Sequence, residues 1–410
     1  MFKKIASIVL FIGVTIGLGY LLYRFFFGTP TVTTPPTTGG GAPTTGGGLP
    51  TAGSGRPTTG TGDVGGGLPT SPGTPTSPTA PTGAAPGTIG STGTVATGDI
   101  KSPAISTNGS LSYYNSLDGR FYRLLPSGES QALNTQRFSD ASEIVWSPAG
   151  NKVAITFPND SKIIYDFTTQ KQVTLPSHWQ DITFSNDGST IVAKSMALDP
   201  ANRWLISAAS DGSSAKLIEP LGQNGDKVTV SVSPDTSVVA FSDTSDPVGF
   251  DTRDLLVIGQ NHENFPALRV EGFDFTPSWS PSGSRLLYSA ASQLSDYKPL
   301  LWIVDGSSET VGGGRRSLGL NTWADKCVFQ GDSTLYCAVP RNLPQAAGLE
   351  RSIADTLSDV VMKVDLVSGT STFVGEPDTP SPLTSLAVSP DGTRLYYVGQ
   401  DGSLKEMLLR

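Results

Sequence analysis

Hydrophobic and polar positions fall into three regimes along this chain. Ile5 to Tyr23 is a run of 19 residues without a charge, IASIVLFIGVTIGLGYLLY. Residues 28–99 are Gly, Pro, Thr and Ser with scattered apolar residues and no period. From residue 100 to 410, short apolar runs recur between clusters of Ser, Pro, Asp, Asn and Gly. That last pattern predicts short strands joined by turns.

The third regime repeats itself. W146-S-P-A-G-N-K-V-A-I155, F184-S-N-D-G-S-T-I-V-A193, V232-S-P-D-T-S-V-V-A-F241, W279-S-P-S-G-S-R-L-L-Y288 and V388-S-P-D-G-T-R-L-Y-Y397 are copies of one unit. I105-S-T-N-G-S-L-S-Y-Y114 and F329-Q-G-D-S-T-L-Y-C337 are weaker copies. Their Ser positions (Gln330 in one copy) fall at 106, 147, 185, 233, 280, 330 and 389. Such spacings, near 40–50 residues, are those of propeller blades. Each copy reads as a β-hairpin: Ser opens the turn, Pro presets φ, and Asp or Asn with Gly closes it. Ile144-Val145-Trp146 before the turn and Val153-Ala154-Ile155 after it are apolar on both faces, as strands sandwiched between blades must be.

A third strand follows each hairpin, at Phe121–Leu124, Ile163–Asp166, Trp204–Ser207, Leu255–Ile258, Leu300–Asp305, Val360–Asp365 and Leu404–Leu409, and turn signals lead into a fourth. The expectation is an all-β, seven-bladed propeller over 100–410, with six or eight blades as alternatives. The seventh unit reaches Arg410 after three strands, so its fourth must come from upstream, and Thr92–Thr97 is the candidate.

These hairpins resemble the WD-like repeats of TolB-type β-propellers, whose hallmark is W/F-S-P-D-G followed by an apolar strand. The resemblance covers nearly all of 100–410 and implies the fold. It implies little about activity, because related propellers occur in binding proteins, assembly factors and peptidase accessory domains. The Gly-His and Trp-Asp dipeptides of eukaryotic WD repeats are missing.

The first two regimes set the expected location. A run of 19 apolar residues spans a bilayer core as a helix. Lys3 and Lys4 precede it, and Arg24, Phe25, Phe26 and Phe27 follow. A cleaved signal peptide would have a shorter apolar core ending in small residues. We expect an uncleaved anchor over 1–27, with residues 5–27 in the membrane, a cytoplasmic N-terminus and an extracytoplasmic C-terminal domain in a bacterial envelope. Residues 28–99 contain no aromatic residue and cannot build a core, so a disordered tether of about 50 Å end-to-end distance is expected.

Charge and chemistry narrow the function. The net charge is -8. Setting aside Lys3, Lys4, Arg24, Arg56, Asp63 and Asp99 leaves 24 basic and 34 acidic residues, a net of -10, on 100–410. An acidic domain repels phosphate backbones, which argues against nucleic acid. Two Cys and two His argue against a structural zinc site, whose four ligands would need all of them. No nucleophile-elbow, zincin, P-loop or dinucleotide motif is present, so no cofactor, metal or catalytic residue is expected. His178 and His262 read as surface residues. Cys327 and Cys337 flank the turn of the sixth unit at equal distance from Asp332, which places them opposite each other as a disulfide in an oxidising compartment.

The connections between second and third strands are long in four consecutive blades: Ser195–Arg203, Ser242–Asp254, Ala290–Pro299 and Pro340–Asp359. In an up-and-down blade they all emerge on one face. They carry Asp199, Arg203, Asp243, Asp246, Asp251, Arg253, Asp296, Lys298, Arg341 and Arg351, the candidate binding residues. A bound cation near Asp243–Asp254 is one reading of this face. The function expected is a membrane-tethered binding or scaffold module for a protein, peptide or cell-envelope polymer. A structural part of an envelope secretion or assembly complex is the first alternative. A propeller lyase or hydrolase with its site on the long-loop face is the second.

Overall fold

The computed structural model describes residues 88–410 together with Gly17. The expected membrane anchor, Gly17 aside, and the tether up to residue 87 lie outside the described residues. Among the described residues no helix is long and apolar enough to cross a membrane.

The described residues form 28 strands in seven four-stranded antiparallel sheets. β1 (Thr92–Ala96) stands apart in sequence from the sheet it joins. Blade 1 is β2 (Ile100–Ile105), β3 (Leu111–Asn115), β4 (Arg120–Leu124) and β5 (Ser130–Ala132). Blade 2 is β6 (Glu143–Trp146), β7 (Lys152–Thr156), β8 (Lys162–Asp166) and β9 (Lys171–Leu175). Blade 3 is β10 (Trp179–Phe184), β11 (Thr190–Ser195), β12 (Trp204–Ala209) and β13 (Lys216–Pro220). Blade 4 is β14 (Val228–Val230), β15 (Val238–Ser242), β16 (Thr252–Gly259) and β17 (Leu268–Glu271). Blade 5 is β18 (Phe273–Trp279), β19 (Arg285–Ala291), β20 (Pro299–Asp305) and β21 (Arg316–Ser317). Blade 6 is β22 (Cys327–Gln330), β23 (Thr334–Pro340), β24 (Asp359–Asp365) and β25 (Ser371–Gly375). Blade 7 is β26 (Thr384–Val388), β27 (Arg394–Val398) and β28 (Leu404–Leu408), completed by β1, which pairs with β28. Residues 92–408 therefore form an all-β, seven-bladed propeller, closed by a strand from upstream of its first blade.

The Ser-Pro turns explain why the hairpins form where they do. In each of five copies the Ser amide and hydroxyl close the turn. At Ser147 the hydroxyl accepts the Lys152 amide at 3.0 Å, and the Ser147 carbonyl accepts the Gly150 amide at 2.8 Å. The same hydroxyl bond recurs at Ser185, Ser233, Ser280 and Ser389. These five hydroxyl-bearing residues are buried. Gly150 takes a left-handed φ of 66°, where a Cβ is strained, and in the copy lacking Gly it is Thr236 that adopts 62°. In the S-x-D copies the Ser hydroxyl also donates to the turn Asp. Hydrogen bonds from Ser185 and Ser189 hold the Asp187 carboxyl down at about 2, and those from Ser389 and Thr393 do the same for Asp391.

Among the described residues no single core runs through the propeller. Seven hydrophobic clusters sit between adjacent blades, one for each interface. Side chains alternate across each second strand to serve both. On β19, Leu286 and Tyr288 face blade 4 while Leu287 faces blade 6. On β23, Leu335 and Cys337 face blade 5 while Tyr336 and Ala338 face blade 7. This is why these strands read as unbroken apolar runs rather than alternating ones.

Candidate functional site

Strand direction decides which segments share a face. Each inner strand runs into its Ser-Pro turn, so the second-to-third-strand connections of all blades emerge at the opposite side of the ring. Four of them are long: residues 196–203, 243–251, 292–298 and 341–358. Those of blades 4, 5 and 6 interlock in sequence around the rim. The Asp251 carboxylate accepts the Gln293 amide at 3.3 Å, tying the loop of blade 4 to that of blade 5. Asp296 and Tyr297 carbonyls accept the Ala346 and Gly348 amides, both at 2.9 Å, tying the loop of blade 5 to that of blade 6. Gly348 is required at this contact, because a Cβ there would lie 2.4 Å from that of Ala291.

The longest loop has its own small core. Trp323, fully buried, packs with Leu343, Ala347, Ala354 and the partly buried Leu357. Its indole Nε1 donates to Asp274 Oδ2 at 3.0 Å, reaching across to the inner strand of blade 5. Arg351 lies over the indole ring at 5.1 Å and pairs with Asp325 at 2.6 Å. At the base, Lys326 and Asp359 form a buried ion pair at 2.6 Å, and the same Asp359 oxygen accepts the Leu383 amide. Burial pushes the Asp359 carboxyl above the usual carboxylate range, against the pull of Lys326. Four inner strands bulge where they start at this face, at Ser102, Asp181, Asp274 and Ser385, each with φ of 50–57°. Short polar side chains tolerate that backbone.

The candidate residues from sequence do not form one cluster. Asp199 accepts the Ala201 amide at the start of a short 3₁₀ turn, and Arg203 spends its guanidinium on the carbonyls of Ala197 and Leu198. Arg253 pairs with Asp243 and stacks over Phe273 at 4.7 Å. Asp254 is held by Arg269, which keeps its carboxyl below the usual range. Both carboxylates that would have flanked a cation near Asp243–Asp254 are therefore occupied by guanidinium groups. Arg341 pairs with Glu376. Asp246 and Asp296 are exposed, and Lys298 is half-buried. His178 and His262 are exposed. Among the described residues no three His, Cys, Asp or Glu side chains gather as metal ligands would.

Sequence reasoning passed over the apolar tips. Leu198 is wholly exposed, Phe250 85% and Leu294 75%; Val248, Leu349 and Ile353 are also exposed. Six of the thirteen exposed large hydrophobic side chains among the described residues thus lie in these four loops. Each is an isolated apolar residue in a polar loop, a signal visible in the sequence. On the opposite face, among the Ser-Pro turns, an apolar cavity of about 580 Å³ is lined by residues such as Ile105, Val328, Phe329, Leu386 and Val388.

Cys327 and Cys337 are cross-strand partners in blade 6, with Cα atoms 4.0 Å apart, and form a disulfide facing blade 5. The loop it closes is short, so its entropic contribution is about 2–3 kcal/mol. The Cys327→Ala/Cys337→Ala variant is expected to lose about that much stability in denaturant titration, and native unreduced protein to show no alkylatable thiol. Two reactive thiols in the native protein would refute the pairing.

No protein-family model matches the chain, and no curated protein matches it. Solved structures do. The chain is similar to an oligogalacturonate lyase in complex with manganese, at 13% identity and a TM-score of 0.52, covering 78% of this chain and 93% of that one. It is similar to the oligogalacturonate lyase of Vibrio parahaemolyticus, at 10% identity and a TM-score of 0.52, over 78% and 93%. It is also similar to the Cps50 (Swd1) β-propeller domain of Myceliophteria thermophila, at 11% identity and a TM-score of 0.53, over 78% and 98%. At such identities the likeness shows the fold alone.

Proposed function

We propose that this protein is a non-enzymatic binding module of the TolB-like kind, anchored in the cytoplasmic membrane through residues 5–27. Its propeller is displayed outside the membrane, where it docks a protein or cell-envelope ligand through the long-loop face. The observation that carries the reading is the set of four long loops on consecutive blades, three of them interlocked, each offering an exposed apolar tip on a rigid ring. The uncharged run at Ile5–Tyr23 and the Gly/Pro/Thr-rich stretch after it support the anchor and tether. A structural role in an envelope assembly complex would use the same face, with a permanent partner in place of a transient one. The likeness to the lyases supplies the fold alone.

The test is site-specific photo-cross-linking of the full-length protein in native membranes. A photoreactive residue at Phe250 or Leu294 is expected to yield discrete adducts, and one at Val367, exposed on the opposite face, none. Adducts of equal yield from both faces, or from neither, would overturn the proposal.

A further inference from the structure

We infer that the long-loop face takes a basic polypeptide segment bearing apolar anchors, an inference that rests on the binding role proposed above. Two independent features of the face point to that chemistry. The first is the row of apolar tips, Leu198, Phe250, Leu294 and Leu349, one from each of four neighbouring blades. Exposed Phe and Leu side chains on a rigid support are anchors for pockets or apolar stripes on a partner. The loops of Phe250, Leu294 and Leu349 are hydrogen-bonded to one another from Asp251 through Gln293 to Gly348, so little ordering of these three remains to be done on binding.

The second feature is charge. Within the four loops, Asp199, Asp246, Asp251, Asp296, Glu350 and Asp355 have no cationic partner among the described residues. The arginines are already engaged: Arg203 on backbone carbonyls, Arg341 on Glu376 and Arg351 on Asp325. Only Lys298 keeps an ammonium without such a partner. Covering these carboxylates with an acidic or merely apolar surface would desolvate them without return. An array of Lys and Arg between apolar residues complements them and steers its own approach. The same charge disfavours an anionic lipid surface and a second copy of this acidic domain.

The test uses the full-length protein in neutral-lipid nanodiscs and a fluorescent, designed amphipathic Leu/Lys peptide. Its controls are the Leu/Glu counterpart and labelled phosphatidylglycerol vesicles. The Leu/Lys peptide is expected to bind with a strong salt dependence, and the Leu/Glu peptide and vesicles not to bind. The Phe250→Ser/Leu294→Ser variant should bind about tenfold more weakly. The Asp246→Asn/Glu350→Gln/Asp355→Asn variant should also weaken binding and flatten its salt dependence. Equal binding of the Leu/Glu peptide, indifference to the tip variant, or tip-dependent vesicle binding would overturn the inference. Adducts at Phe250 in membranes together with no Leu/Lys binding would sink this inference alone. Absence of those adducts would sink the binding reading itself.

Discussion

Trp323→Ala is expected to cost about 3–5 kcal/mol of stability and to release the longest loop of the face. The indole is fully buried, and its neighbours Leu343, Ala347 and Ala354 come almost wholly from the loop it holds down. Removing it leaves a cavity that the loop can escape by detaching, because this satellite cluster is separate from the seven clusters between the blades. The change should therefore show twice: as a lowered denaturant midpoint, and as new protease cleavage within residues 341–358. Trp323→Phe keeps most of the packing and loses the bond to Asp274, whose carboxylate is exposed and can turn to water. It should cost about 1 kcal/mol and leave the loop resistant. Unchanged protease resistance in the alanine variant would show that the loop is held by its contacts with Asp296 and Tyr297 instead.

Much of this architecture is legible in the sequence, for a physical reason. A blade hairpin needs a tight turn between two strands buried on both faces, and that need is written locally as S-P-D-G between apolar runs. The degenerate copies at Ser106 and Gln330 were legible because the flanking strands kept the pattern when the turn did not. The long loops were legible as gaps between strands. What occupies them was not. Arg253 and Asp243 are ten residues apart, and their pairing depends on how the loop folds back on β16. Trp323 lies outside the loop it anchors, and its partners are 20 to 34 residues away in sequence. No periodicity links such residues. The bulges at Asp181 and Asp274 were likewise invisible, since one left-handed Asp leaves no mark on a strand pattern.

Lys326→Met is the companion experiment at the base of the same loop, and its outcome depends on pH. The Asp359 side chain has no solvent exposure, and among the described residues Lys326 supplies the only charge compensation it receives. Deleting the ammonium strands a buried carboxylate, which costs about 3–5 kcal/mol at neutral pH. The sign of the pH dependence follows from linkage. Burial already raises the Asp359 pKa in the folded protein, and loss of Lys326 raises it further. The folded variant then binds a proton more tightly than the unfolded chain, whose carboxyl titrates near about 3.9. Its stability therefore rises as pH falls through the raised folded value, and declines as pH increases through it. The gap between wild type and variant should be widest at pH 7 and narrow on acidification, as read from denaturant midpoints at several pH values. Lys326→Met/Asp359→Asn removes the stranded charge and should recover part of the loss at neutral pH. A gap that stays constant with pH, with no recovery in the double variant, would show that Lys326 acts through packing of its aliphatic stem rather than through its charge.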